Sequence, residues 1–188
     1  LNNIETQVLI IGGGVTGTGI LRDLSLRGIK CLLVESDDIN RGASGANHGL
    51  LHSGARYVTT DPESATECGE ENAILKKTLG NCIEDNGGIY VAVKGDDEHY
   101  VADFPAQCEK SGIIIQEIDV QQVQEQEPAV IKDIFKAYQT KDATIDPFGV
   151  SLSNIAQARS LEGSTLTYNR VVQLIKHSGK IGNVKDIA

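Results

Sequence analysis

The sequence predicts an α/β fold in which a βαβ layer is followed by a strand-richer region. Three observations predict it. An apolar run, QVLII at 7–11, stops abruptly at Gly12-Gly13-Gly14. A helix-spaced segment follows and leads into a second apolar run, CLLVE at 31–35, so the chain opens with a compact βαβ unit. Further on, short β-rich runs alternate with polar helical segments.

Each element has its own warrant. The 7–11 run is rich in β-branched residues and ends in a tight turn, as a buried strand does. From Thr16 to Arg27, Ile20, Leu21, Leu24 and Leu26 are apolar, while Arg22, Asp23 and Arg27 are charged. Asp23 and Arg27 stand four apart and are placed to pair on the exposed face. Gly28 ends the helix. Residues 36–57 are rich in Gly, Ser, Ala and Asn without a period; a loop of that length holds a ligand or is disordered. A helix is expected over 62–80 with Pro62 near its start, a strand at 89–93 entered through Gly87-Gly88, and a helix over 96–111 ending at Gly112. A strand at 113–118, a polar helix ahead of Pro128, and a strand at FKAYQT follow. TIDPF at 144–148 reads as a turn into a helix around 148–160. From Leu166 onward the tail reads as β: TLTYNRVVQLIK, a polar turn near Ser178-Gly179, and a last strand. The expected organisation is 1–80, 81–165 and a returning hairpin at 166–188, with the compositional boundary near 60–85. A complete doubly wound sheet needs more parallel strands than these, and position 1 is Leu rather than Met, so an incomplete fold is expected.

Composition narrows the function classes. Apolar residues make up 40% of the chain, enough for a buried core. A formal net charge of −9 argues against nucleic acid and against electrostatic adhesion to anionic lipid. No apolar run approaches the ~18–20 residues needed to span a bilayer, and no signal-peptide pattern opens the chain, so a cytosolic chain is expected. In that setting Cys31, Cys68, Cys82 and Cys108, widely spaced and without C-x-x-C, read as free thiols rather than a disulfide or metal framework. The acidic runs Asp96-Asp97-Glu98 and Glu125 to Glu127 read as solvated faces, and His99 and His177 as surface residues.

Gly12, Gly14 and Gly17 form G-x-G-x-x-G, a weak motif alone but placed here between a strand and a helix, the context its physics requires. Gly12 permits the turn, Gly14 lets the backbone approach a pyrophosphate, and Gly17 lets the helix pack on the strand. The first N–H groups of the helix then face the phosphates. Glu35 ends the second strand 18 residues after Gly17, where a carboxylate accepts from ribose hydroxyls and repels a 2′-phosphate. This is a Rossmann-like arrangement for an adenine dinucleotide, and NAD and FAD share it. A glycine turn beside a surface Glu, with no ligand, remains the alternative.

The loop RGASGANHGLLHSGARY at 41–57 adds chemistry. Its small residues allow close approach to a flat ligand, and Ser44 and Asn47 offer hydrogen bonds. His48, His52 and Arg56 are titratable or charged, and if the last stretch is helical then His52 and Arg56 share a face. An arginine beside a flavin binds a phosphate or carboxylate and favours the reduced anion. A Gly-rich surface loop with solvated His and Arg fits the composition equally well.

The segments IGGGVTGTGILRDLSLRG and DINRGASGANHGLLHSGARY, continued by TTDPESATECGEEN, resemble the FAD-dependent sn-glycerol-3-phosphate dehydrogenases, in particular the large (A) subunit of the anaerobic type. The resemblance is strongest over 8–72 and runs more weakly through TIDPF to the end. One departure is Leu21, where many members have Ala. The resemblance implies a glutathione-reductase-like flavoprotein with a discontinuous FAD domain and an antiparallel-sheet substrate domain. It implies oxidation of sn-glycerol 3-phosphate to dihydroxyacetone phosphate, with hydride passing from C2 to FAD and electrons onward to a respiratory-chain quinone. It implies further dehydrogenase subunits and a peripheral position at the inner face of the membrane. The cofactor residues it implies are Gly12, Gly13, Gly14, Thr16, Gly17, Glu35, Ser36, Ser44, Gly45, Asn47, His48, Gly49, Leu51 and Val171, the last through its backbone. His52 and Arg56 fall on the substrate side, with Arg56 on the phosphate. Later motifs of the family are absent from these 188 residues, so this chain alone is expected to have little activity and to hold FAD weakly. The rivals are an FAD-dependent amino-acid or amine oxidase and a non-catalytic dinucleotide-binding module.

Overall fold

The computed structural model describes residues 4–177 and 180–187. In chain order the elements are β1 (Val8–Ile11), α1 (Val15–Leu26), β2 (Cys31–Val34), β3 (Leu50–Leu51), α2 (Pro62–Thr78), β4 (Ile83–Glu84), β5 (Gly88–Val93), α3 (Glu98–Lys110), β6 (Ile115–Glu117), α4 (Val120–Gln126), β7 (Ile134–Thr140), β8 (Ala143–Ile145), α5 (Pro147–Ser160), β9 (Ser164–Leu166), β10 (Arg170–His177) and β11 (Lys180–Ile187). They divide into two compact units, Leu1–His48 with Asp146–Ala188, and Gly49–Ile145. The compositional change at 60–85 falls inside the second unit.

The first unit holds the βαβ opening. β1 and β2 are parallel with Val8 opposite Cys31, and β9 joins the far side of β2 in parallel, giving the order β1-β2-β9. Central β2 is buried at all four residues, which is why its run is apolar without alternation. Its core gathers Ile10, Leu21, Cys31, Leu33, Ile155 and Ala158, so α1 and α5 share one interior. Leu21, where Ala was the family expectation, is fully buried there. A side chain of that size in that place contributes roughly 1.5–3 kcal/mol of transfer free energy. Asp23 and Arg27 pair at 2.8 Å on the exposed face, as the spacing predicts. α5 starts at a built cap: Asp146 accepts from the N–H groups of Phe148 and Gly149 at 3.0 and 2.9 Å, with Pro147 next.

The tail corrects the sequence reading. It is two elements, not one run from 166. Residues 164–166 complete the parallel sheet, and Arg170 begins the hairpin β10–β11, whose register runs from Arg170 opposite Ile187 to His177 opposite Lys180. The break comes at Tyr168, whose φ of 58° lies in the left-handed region and cannot continue a strand. The turn expected near Ser178-Gly179 lies outside the described residues.

The second unit is built on the antiparallel sheet β5-β7-β6, with Tyr90 opposite Tyr138 and Gln116 opposite Gln139. Phe104 and Cys108 of α3 pack with Ala55, Val58, Ala65, Ile113 and Tyr138. Phe104 stands 5.7 Å from Tyr90 and 5.5 Å from Tyr138 by ring centroid. α4 covers a separate cluster of Val123, Ile134 and Ala137. A small second sheet, β3-β8-β4, joins the two ends of the unit, and Gly49 O accepts from Ile145 N–H at 2.8 Å. Residues 144–145 are therefore strand, not turn. The acidic runs are exposed, but Asp97 also caps α3 by accepting from His99 N–H at 2.9 Å. None of the four cysteines is in a disulfide.

Candidate functional site

In the first unit the glycine turn has the geometry its spacing predicts. Gly12 takes φ of 111°, and its N–H donates to Val34 O at 2.9 Å, tying the turn to the end of β2. A Cβ at Gly17 would overlap the Gly12 carbonyl oxygen, so the absent side chain is what lets α1 start against the turn. The first turn of α1 contains no acidic residue. Its N–H groups have no intrahelical acceptor and carry the positive end of the helix dipole. Val15 N–H donates to Ser44 Oγ at 3.0 Å, so the hydroxyl comes from the following loop rather than from the cap residue Gly14.

Glu35 is held against the turn. Its Oε2 accepts from Gly13 N–H at 2.6 Å, and its Oε1 accepts from Asp37 N–H at 2.9 Å and Ser36 Oγ at 3.0 Å. Partial burial pushes the carboxyl pKa up, but these donors outweigh it and the net direction is down. The carboxylate is thus fixed and ionised, a group that only accepts. Leu166 O accepts from Glu35 N–H, and Glu35 O from Asn169 N–H, at 2.8 and 2.9 Å. Val171 on β10 is therefore two residues from this strand contact.

The loop after β2 is anchored by a residue that motif reading missed. Asn40 is buried with φ of 62°. Its N–H donates to Gly13 O at 3.1 Å, its Nδ2 to Pro147 O at 2.7 Å, and its Oδ1 accepts from Ser151 Oγ at 2.9 Å. One amide thereby links the glycine turn, the loop and the start of α5. The only local signal was an Asn tolerant of left-handed backbone. Beyond it, Ser44 and Gly45 are half-buried, and Asn47 Nδ2 donates to Ser44 O at 2.5 Å, while Thr16, Ser36 and His48 are exposed.

Gly49, Leu51, His52 and Arg56 belong to the second unit. Leu51 pairs with Ala143 in the β3–β8 ladder. The stretch from His52 to Arg56 is not a helix, so the face the two would share on one is not formed. Only Ala55–Tyr57 makes a 3-10 turn, and Gly54 before it has φ of 96°. Tyr57 relates the two instead: the His52 ring meets it edge-on at 6.5 Å, and Arg56 Cζ lies 5.6 Å from its centroid. A second missed residue is Asp142, buried, whose Oδ1 accepts from Ser53 N–H at 2.6 Å. No local signal could find it, because its partner is 89 residues away.

The first unit fits an adenine dinucleotide. A Cβ at Gly14 would come within 2.9 Å of Ser44 Oγ, so the cradle over the helix start is closed to side chains. The donor set is backbone N–H on one side and a fixed carboxylate on the other, matching a pyrophosphate and a ribose. Among the described residues, no three His, Cys, Asp or Glu side chains are grouped to hold a metal ion, and no helix is long and apolar enough to cross a membrane.

Comparison with known proteins agrees. Residues 7–187 match the family described as FAD dependent oxidoreductase. The chain is 45% identical over 181 residues to the A subunit of the anaerobic glycerol-3-phosphate dehydrogenase from Haemophilus influenzae, covering 96% of this chain and 32% of that protein. The corresponding subunit of Escherichia coli K12 is 44% identical over 181 residues, with 96% and 33% covered. The chain thus spans about a third of the length of the curated relatives it matches. Among solved structures, L-α-glycerophosphate oxidase from Mycoplasma pneumoniae, dithionite-reduced with FAD bound, superposes with a TM-score of 0.77 at 23% identity, over 93% of this chain and 48% of that one.

Proposed function

The chain belongs to the FAD dependent oxidoreductase family, and from that premise we propose that it forms part of the large subunit of an anaerobic-type glycerol-3-phosphate dehydrogenase. The reaction is oxidation of sn-glycerol 3-phosphate to dihydroxyacetone phosphate. The observation that carries this reading is the 45% identity over 96% of the chain to one component of that enzyme. Bound FAD supplies the hydride acceptor. The residues of this chain do the rest of the work assigned to it. The turn Gly12, Gly13, Gly14 with Thr16 and Gly17 holds the pyrophosphate by backbone N–H groups, and Glu35 with Ser36 takes the ribose. Ser44, Gly45, Asn47, His48, Gly49 and Leu51 line the flavin, and the backbone of Val171 meets the adenine. Arg56 binds the substrate phosphate as a fixed cation, and His52 lies on the substrate side. Electrons pass on to a quinone through further subunits, which place the enzyme peripherally at the inner face of the membrane.

The test uses the full-length gene product, purified under anaerobic conditions. It is expected to show flavin absorption bands that sn-glycerol 3-phosphate bleaches, with dihydroxyacetone phosphate formed. Bleaching by amino acids with peroxide release, and not by glycerol 3-phosphate, would place it with the oxidases. A preparation that binds a dinucleotide without any redox turnover would make it a binding module.

A further inference from the structure

We propose that Asp142 is a positioning residue for the substrate side of the site, acting through the backbone of residues 52–56; the inference rests on reading His52 and Arg56 as substrate-side groups. β3 and β8 pair Leu50 with Thr144 and Leu51 with Ala143. The next antiparallel position sets His52 opposite Asp142, and there the backbone ladder stops. The Asp142 side chain takes over: its Oδ1 accepts from Ser53 N–H at 2.6 Å, a bond strengthened by the carboxylate charge. Asn72, also buried, adds a second tie by donating from Nδ2 to Leu51 O at 3.1 Å and to Lys141 O at 3.3 Å. The segment carrying His52 is thus gripped on both sides of that residue. Immediately after it the chain turns at Gly54, where a Cβ would overlap Ala65 O, and enters the 3-10 turn that presents Arg56.

The carboxylate is costly to bury, with Asp142 only 7% exposed. An apolar side chain of similar volume would pack without that cost but could not accept the Ser53 N–H. The side chain is closely packed: a Cβ at Gly88 would come within 2.9 Å of both its Cβ and its Oδ2, so the glycine leaves it room on that side. The Tyr90 phenol is pushed up to about 12, by burial first and by the Asp142 charge second. The arrangement fixes where the 52–56 segment sits, and a misplacement of about an ångström at a reacting site costs up to about 100-fold in rate.

The experiment compares Asp142→Ala, Asp142→Asn and Arg56→Ala in the full-length gene product, reading KM and kcat for glycerol 3-phosphate, flavin content, and hydrogen exchange at the Ser53 amide. Asp142→Ala is expected to raise KM about tenfold or more, with flavin content unchanged and the Ser53 amide exchanging faster. Asp142→Asn keeps an acceptor oxygen and is expected to recover most of the loss. Should Asp142→Ala not fold, Asp142→Ser replaces it, being polar but too short to reach the amide. A KM within about twofold of the parent in Asp142→Ala, when Arg56→Ala raises it strongly, overturns the proposal and leaves the substrate reading intact. Equal damage from Asn and Ala overturns it as well, because the hydrogen bond would then not be the cause. An unchanged KM in Arg56→Ala sinks the substrate-side reading itself.

Discussion

Glu35 shows how one side chain ties a loop to the fold at the place where the proposed function sets a ribose. Donors from Gly13, Asp37 and Ser36 hold its carboxyl below the ordinary glutamate value against the opposing effect of burial. A group whose folded pKa is depressed stabilises the fold above its unfolded pKa, and that contribution disappears as pH falls through the folded value. Glu35→Gln is therefore expected to be less stable than the parent at neutral pH and to converge with it as pH falls below the ordinary glutamate range. Denaturant midpoints measured across that range check it, and curves that stay parallel at every pH would show that the carboxylate is not held as described. Asn40 makes the complementary point. A neutral amide with three fixed partners joins the turn, the loop and α5, and it does so through long-range contacts rather than through a motif.

At the scale of elements, the start of α1 is set by close approach. Alanine is the better helix former, worth about 1 kcal/mol over glycine in a helix interior. Propensity alone therefore makes Gly17→Ala stabilising. The overlap of its Cβ with the Gly12 carbonyl oxygen predicts the reverse, since overpacking costs roughly 1–3 kcal/mol. Urea unfolding of the variant decides by sign: a lower midpoint is expected, together with weaker flavin retention in the full-length product. The same scale explains the tail. Residues 164–166 and 170–177 are both β-rich, and hydropathy does not separate them, yet one joins a parallel sheet and the other a hairpin because Tyr168 turns the chain between them.

At the scale of the molecule, the two units carry separate cores, and the second has its own ends paired through β3 and β8. Thiols report on each. Cys31 lies in the first unit, with Cys68, Cys82 and Cys108 in the second. In native protein, labelling is expected at half-buried Cys68 first, while Cys108 resists, being fully buried with its thiol pushed up to about 11 by that burial. Under rising urea, Cys31 and Cys108 should become reactive at different midpoints, each following its own core. Mass spectrometry of the labelled peptides measures this, and a single shared midpoint would show that the units unfold as one.

The sequence by itself determined the βαβ opening, the glycine turn, the acidic residue after the second strand and the helix starts near 62 and 148. These are local: hydrophobic period, turn chemistry and capping act over a few residues, so they are legible wherever they occur. It also carried the likeness to a flavin-dependent family, through the loop at 41–57. Only the tertiary structure decided that 164–166 joins the first sheet, that Gly49 and Ile145 meet, that His52 and Arg56 are related through Tyr57 rather than along a helix, and that Asn40 and Asp142 hold the two halves of the loop. Those choices depend on partners as far apart in sequence as Leu32 and Ser164. Which distant strand or side chain meets a given N–H is set by what the packed core leaves unsatisfied, and no stretch of neighbouring residues records that.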